Sequence, residues 1–495
     1  MNRFVRLGFS ATAGILLALG ANGHGWWLTV LGLALFLGLI RGQDRAVRLL
    51  VTVVVASIWF GVHISWMQIL GVDAWLLLVT LCVLPWLLIA VVPLPAVGLR
   101  SYLMPTALIV LIEWLHDNIP WGGFPWGNLA YSQVDGPIVG LAAWGGQSLV
   151  TAAVCLISLA GLGLIGSHKI FSGMAVVGLL VLCSHWAART PNVHVSEHVN
   201  IALVQGGSVT LQPSDEQQQW QVFNNHIEQT DKLIHAVQSR KVLQPKLIVW
   251  PENSTDVDPL NDAVAYRRIS ELVERAMVPL LIGGVTWQSN PYGPRNSGIL
   301  WQPQSGPQQI YAKTHLVPFG EYIPLRGLLS AHIGRLSQIP NDFIPGTRPG
   351  IFRLNERTFG DVICFEIAYE NHLTDLVQGG ATFITLQTNN ATYLGTKQSE
   401  QQFAIARFRA IEHRRSVVMA STTGVSGLIN DSGEVVSQSK QGESTFLSNR
   451  ISSIASLTFT DRHSDWVLTL SLAILGLLVL RQIGNKRRVH GISTG

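Results

Sequence analysis

This sequence has almost no means of making a disulfide. Its 495 residues hold four cysteines, and three of them, Cys82, Cys155 and Cys183, lie in long apolar runs. The polar part of the chain is left with one thiol, Cys364, and nothing to pair it with. The 15 histidines are scattered, and neither H-E-x-x-H nor a paired CxxC occurs, so zinc-site spacing is missing and no metal is expected. There is no glycine loop of the phosphate-cradling kind, which removes the common nucleotide-dependent classes and leaves no expected cofactor. Charge is scarce too. Only 13% of residues are charged, against 48% hydrophobic and a mean hydropathy of +0.32, where a soluble domain carries about 25% charged residues. No repeat or low-complexity segment is present.

The apolar residues are concentrated at the two ends. A membrane-crossing helix needs about 20 mainly apolar residues. Runs that approach this lie at about 5–21, 26–40, 49–70, 74–94, 102–116, 138–165, 171–187 and 464–481. Eight spans are therefore expected, seven in a membrane domain over 1–187 and one in 464–495, which ends in a basic tail. The competing reading, buried helices of a soluble protein, does not suit so many runs in succession. The first run also has the character of a signal peptide, whose removal would leave the remaining topology unchanged. Glu113, in the fifth run, could meet a lipid headgroup, but is expected to pair inside the bundle.

Basic residues set the orientation. With the N-terminus inside, the inner flanks carry eleven Lys and Arg, and the short outer loops near 22–25, 71–73 and 117–137 carry none. Both termini are then cytoplasmic, and residues 188–463 form a domain outside the cytoplasm. That domain holds 23 Lys and Arg against 24 Asp and Glu, so nothing in its charge calls for nucleic acid.

Residues 188–463 alternate strand-like and helix-like segments, the mark of an α/β domain. Segments 200–206, 246–252, 278–285, 361–366, 381–389 and 416–422 are expected to be strands, and most of them are nearly continuously apolar, as buried strands are. Segments 214–238 and 399–415 have helical spacing, and 342–352, rich in Gly and Pro, is expected to be a loop. Three polar residues each follow a strand-like run: Glu252 in "LIVWPE", Lys313 in "IYAKTHLVPFGEYIP", and Cys364 in "DVIC". Taken singly they have ordinary readings, as a turn acid, a solvated amine and a small buried hydrophobe. Taken together they fit one mechanism. A thiol with a reference pKa of about 8.5 needs help to ionise; a carboxylate can take its proton; an ammonium can favour the thiolate and then an oxyanion.

"WPEN", "YAKTHLVPFGEYIP" and "GDVICFEIAYEN" resemble the three catalytic blocks of the nitrilase (carbon–nitrogen hydrolase) superfamily. With the membrane runs and "GFPWGNLAYSQ" (123–133), the chain resembles that superfamily's apolipoprotein N-acyltransferase family over nearly its whole length. The resemblance implies an α-β-β-α sandwich joined to a multi-span helical bundle in a bacterial cytoplasmic membrane. It implies Glu252 as general base, Lys313 as oxyanion and thiolate stabiliser, and Cys364 as acyl-accepting nucleophile. Glu321 and Glu366 would support them, and Trp220, Phe365 and Asn389 would contact substrate. The implied partners are a phospholipid acyl donor, a diacylated apolipoprotein acceptor and the bilayer, with the protein acting as a monomer. The alternative is a membrane-tethered amidase that passes the acyl group to water. "TNNATYLGTKQSEQQ" (388–402) departs from the "SNDAWF" of many members. The apolar "PLRGLLSAHIGRL" (324–336), with Leu325, Leu328, Leu329 and Ile333, is expected to touch the bilayer as a lid.

Overall fold

The structure is a computed structural model that describes residues 2–95, 98–166, 170–189, 195–207, 215–255, 257–324, 326–329 and 341–491. It divides into two compact units, Met1–Pro191 with Arg462–Gly495, and Asn192–Asp461. Most of the segment expected to act as a lid, residue 325 and residues 330–336, lies outside the described residues.

The first unit is helical. Among the described residues, four helices are long and apolar enough to cross a membrane: Arg3–Ala21, Arg45–His63, Val72–Val91 and Val139–Gly163. Shorter apolar helices among them are Trp26–Ile40, Met174–Ala188 and Trp466–Arg481. Local signals fix their ends; the Asp44 carboxylate, for instance, accepts from the Val47 N–H at 2.9 Å and caps Arg45–His63. The expected fifth run falls in helix Arg100–Asn118, which does not reach the same apolarity. Its buried side carries Glu113, His116 and Asp117, and it packs against Val72–Val91, Ala142–Gly166 and Trp466–Gly491. Acids inside a helix bundle must be paired, and here they are. Glu113 accepts from the Leu129 N–H at 2.8 Å and the Thr151 hydroxyl at 2.5 Å. Asp117 accepts from Asn128 and Gln147, both at 2.7 Å. These two acids hold "GFPWGNLAYSQ" against the helix, so Glu113 pairs within the bundle.

The second unit is a sandwich. Its strands are β1 (Val195–Gln205), β2 (Leu247–Val249), β3 (Leu280–Ser289), β4 (Tyr292–Gln302), β5 (Gly306–Ala312), β6 (Ile351–Leu354), β7 (Arg357–Ile363), β8 (Ile384–Thr388), β9 (Val417–Ser421), β10 (Gly427–Ile429), β11 (Val435–Gln438) and β12 (Thr445–Ile454). One six-stranded sheet has the order β12-β1-β2-β3-β4-β5, the other β11-β10-β9-β8-β7-β6. The centres of both are parallel, β1-β2-β3 and β7-β8-β9, and the flanks antiparallel. This is why the central strands are buried on both sides. In β1, Ile201 and Leu203 meet the facing sheet, and Ala202 and Val204 meet the outer helices.

The inner core joins Val249, Leu281 and Leu300 of the first sheet to Phe359, Ile363 and Val418 of the second. Helices Asp215–Gln238 and Ala263–Ala276 cover the first sheet through Phe223, Leu233, Ile269 and Leu272. Helices Glu370–Gln378 and Gln398–His413 lie against the second. The layering is α-β-β-α, as the resemblance implied. Its consequence for the site is simple: β2, β5 and β7 end near one another, and each delivers one polar residue.

Candidate active site

Each of the three residues leaves its strand through a constrained piece of chain. Beyond β2, Pro251 ends the ladder and the chain crosses directly over β3. A Cβ on Gly283 would lie 2.3 Å from the Pro251 carbonyl oxygen and 2.7 Å from the Glu252 Cα, so only glycine allows this approach. Lys313 follows β5 and is held by its N–H on the Asn296 carbonyl at 2.8 Å. Cys364 follows β7 with φ +55°, in the left-handed region, and opens a 3-10 turn, Cys364–Ala368. That conformation costs a non-glycine residue about 1–2 kcal/mol and persists only where the surroundings over-determine it.

Buried Glu252 and Lys313 form a cluster with the part-buried Glu321. The Lys313 ammonium, 1% exposed, lies 2.9 Å from Glu321 Oε1 and 3.4 Å from Glu252 Oε1. The Asn296 amide bridges the same two carboxylates at 2.6 and 2.8 Å. The second oxygen of Glu252 accepts from the Asn389 N–H at 2.8 Å, and that of Glu321 from the Val317 N–H at 2.8 Å. Glu252 is thus fixed from three sides.

The electrostatics tie Cys364 to this cluster. Burial, then the charge of Glu252, pushes its thiol up to about 12, against the pull of Lys313. Burial, together with Glu321, also raises Glu252 above the usual carboxylate range, against the pull of Lys313. Burial works against the Lys313 charge, but Glu321 and Glu252 outweigh it and hold its pKa above the ordinary lysine value. The resting site is a protonated thiol, a carboxyl shifted towards proton uptake, and a permanent cation.

Glu366 has a different character. It is wholly buried, and its carboxylate takes five donors: the Tyr311 hydroxyl at 2.8 Å, the Thr314 N–H and hydroxyl at 2.7 and 2.9 Å, and the N–H groups of His315 and Ile363 at 3.0 and 2.8 Å. Burial would raise its pKa, but His372, the His315 contacts and Lys313 overcome it, and the group stays well below the carboxylate range. Glu366 therefore sews the turn bearing Cys364 to the loop following Lys313. His315, Glu366 and His372 lie within 4.8 Å of one another. The donors aimed at both Glu366 oxygens describe an anchored carboxylate rather than a metal ligand. Glu366→Gln is expected to lower stability by about 3 kcal/mol, since the amide meets converging donors with a donor of its own. A denaturant titration checks this.

The remaining expected residues are placed as follows. Phe365 is buried, edge-on to Tyr369 at 5.4 Å between ring centroids. Asn389 gives its backbone N–H to Glu252, while its side-chain oxygen accepts from Thr422 at 2.8 Å and the Ala391 N–H at 3.1 Å. Trp220 is half-buried on helix Asp215–Gln238, packed on Phe223 at 5.6 Å in the helix-side core. Asn296, Tyr311, Thr314 and Gln402 were not anticipated. Gln402 donates to the Cys364 carbonyl at 2.9 Å. Their roles come from contacts between segments distant in sequence, within one sheet for Asn296, between the sheets for Tyr311 and Thr314, and from a covering helix for Gln402, for which single-strand patterns carry no signal.

Residues 200–457, more than half of the chain, match the carbon–nitrogen hydrolase family, and residues 13–160 match the apolipoprotein N-acyltransferase N-terminal domain. The chain belongs to the carbon–nitrogen hydrolase family. Within it, similar proteins are named apolipoprotein N-acyltransferase. That of Mycolicibacterium smegmatis is 32% identical over 376 residues, covering 71% of this chain and 63% of the relative, so the match spans less than two thirds of that protein's length. That of Agrobacterium fabrum is 28% identical over 397 residues, covering 77% and 73%. That of Aquifex aeolicus is 29% identical over 332 residues, covering 66% and 71%. Among solved structures, Saccharomyces cerevisiae Nit3 of the nitrilase superfamily is 15% identical with a TM-score of 0.39, covering 52% of this chain and 91% of that one.

Proposed function

We propose that the protein is an acyltransferase that moves a fatty acyl chain from a membrane phospholipid to the N-terminal α-amine of a diacylglyceryl-cysteine apolipoprotein. The observation that carries this reading is the Glu252–Lys313–Glu321 cluster set against the Cys364 thiol, in a chain whose relatives bear that name.

The chemistry follows from the proton positions. Glu252 takes the Cys364 proton as the sulfur attacks the ester carbonyl carbon. The carbonyl oxygen becomes an oxyanion beside Lys313, where one such donor contributes ~2.7–4 kcal/mol in the transition state. The carbon–oxygen bond breaks, Glu252 returns the proton to the departing alkoxide, and lysophospholipid leaves. The α-amine of the lipoprotein then attacks the thioester and loses a proton to Glu252. The carbon–sulfur bond breaks and the thiol is restored. Two substrates thus use one sulfur in turn.

Both substrates are lipids, which accounts for a helical unit far larger than a tether requires. The reading includes eight membrane-crossing helices, domains at 1–187, 188–463 and 464–495, cytoplasmic termini and an extracytoplasmic catalytic domain. It is supported by the apolar helices and the one-sided basic flanks.

The test is incubation of the purified protein with labelled phospholipid and a diacylated lipopeptide. Wild type is expected to yield triacylated lipopeptide, and Cys364→Ala none. Release of the label to water at the same rate with or without lipopeptide would favour the amidase.

A further inference from the structure

Helix Gln398–His413 grips the turn that bears the nucleophile at two points. Gln402 donates to the Cys364 carbonyl at 2.9 Å. Seven residues on, Arg409 donates from Nε to the Ile367 carbonyl at 3.1 Å and from Nη2 to the Ala368 carbonyl at 2.6 Å. Residues seven apart occupy one face of a helix about 10 Å apart, so a single rigid element holds both ends of the Cys364–Ala368 turn. The carbonyls it takes belong to a short 3-10 turn, which has no helix of its own to satisfy them.

Arg409 is itself held. It is wholly buried, and its Nη1 is paired with buried Glu412. The same Glu412 lies 3.2 Å from His413 Nε2, and His413 Nδ1 lies 2.6 Å from Asp461 Oδ1. Asp461, also buried, is fixed by the Thr458 N–H at 2.8 Å and ends the catalytic unit. We propose that Arg409, Glu412, His413 and Asp461 form a positioning chain for the nucleophile, in which Arg409 sets the turn bearing Cys364 and the other three set Arg409. Burying four ionisable groups is expensive, and a packed apolar cluster serves stability as well or better. A planar fork across two adjacent carbonyls supplies the direction that apolar packing lacks. The Cys364 backbone, held at φ +55°, is where direction is needed.

The inference rests on Cys364 being the acylated residue, and the two can fail separately. In full-length protein in detergent micelles, the single-turnover rate of label transfer from phospholipid to Cys364 is measured per folded molecule. Arg409→Lys keeps the charge but loses the fork; it is expected to slow acylation by about 100-fold, the scale of a 1 Å misplacement, with donor half-saturation unchanged. Arg407→Lys is the control, because Arg407 lies on the same helix but donates to the Gly433 carbonyl at 2.8 Å, away from the turn; its rate is expected to match wild type. An Arg409→Lys rate within twofold of wild type overturns the chain. If that variant does not fold, Asp461→Asn carries the test. It is expected to slow acylation about 10-fold through its coupling to Arg409, and an unchanged rate overturns the proposal. A wild type that gains no label on Cys364 overturns instead the reading on which it rests.

Discussion

Lys313→Met is expected to reduce thioester formation by more than about 10⁴-fold, because it removes two effects at once. The first is the oxyanion donor, which alone contributes about 10²–10³ in rate. The second is the cation between Glu252 and Glu321, whose oxygens share one Asn296 amide at 2.6 and 2.8 Å. Without the ammonium, the buried Glu252 carboxylate faces the Glu321 carboxylate around that amide with no cation between them, which disfavours the charged form of Glu252. Glu252, already raised by burial, rises further and can no longer accept the thiol proton at neutral pH. Breaking the buried pair also costs about 3–5 kcal/mol of stability, so a fall in melting temperature accompanies the lost rate. Initial rates of label transfer, normalised to folded protein, check the prediction. Retention of a tenth of the wild-type rate would show that Lys313 is not the oxyanion partner.

Glu252→Gln is expected to move two measurements in opposite directions. Acyl transfer falls by about 10²–10⁴, the contribution of a positioned general base. Alkylation of Cys364 by iodoacetamide becomes faster. The sign follows from the causes of the thiol's shift: burial and the Glu252 charge raise it, and Lys313 lowers it. Removing the Glu252 charge leaves burial opposed by Lys313 and a smaller influence of Glu321, so the pKa falls from about 12. Below both values, the thiolate fraction at fixed pH rises about tenfold for each unit of that fall. A residue that merely shaped the pocket would slow both reactions, or neither.

What the sequence made legible was the part of the site that is local along the chain. Glu252, Lys313 and Cys364 each follow a strand-like run, and the runs correspond to β2, β5 and β7. The central strands β3, β8 and β9 were equally visible, because a strand covered on both sides has no polar alternation to blur it. The flanking strands were not. β11 is exposed along most of its length, and β4 opens on Tyr-Gly-Pro, a turn-like start. Helix Ala263–Ala276 was missed although Asp262 caps it, accepting from Val264 and Ala265 at 2.9 and 2.8 Å. It is short and half-exposed, and it sits between strands already assigned.

The membrane runs illustrate the same limit. Helix Arg100–Asn118 is surrounded by other helices and can carry acids, so hydropathy describes it poorly. Asn389, expected to touch substrate, also holds Glu252 by its backbone N–H, a donor that every residue except proline carries and that side-chain identity therefore does not reveal. The supporting residues Asn296, Tyr311 and Arg409 acquire meaning only when segments distant in sequence are brought together.

Mass analysis of the Cys364 peptide, after incubation with acyl-labelled phospholipid and no acceptor, tests the central claim most directly. The account predicts one acyl chain on Cys364, removed by neutral hydroxylamine and discharged when a diacylated lipopeptide is added. Acylation of the lipopeptide with Cys364 unmodified throughout, or with the label on another residue, would contradict it.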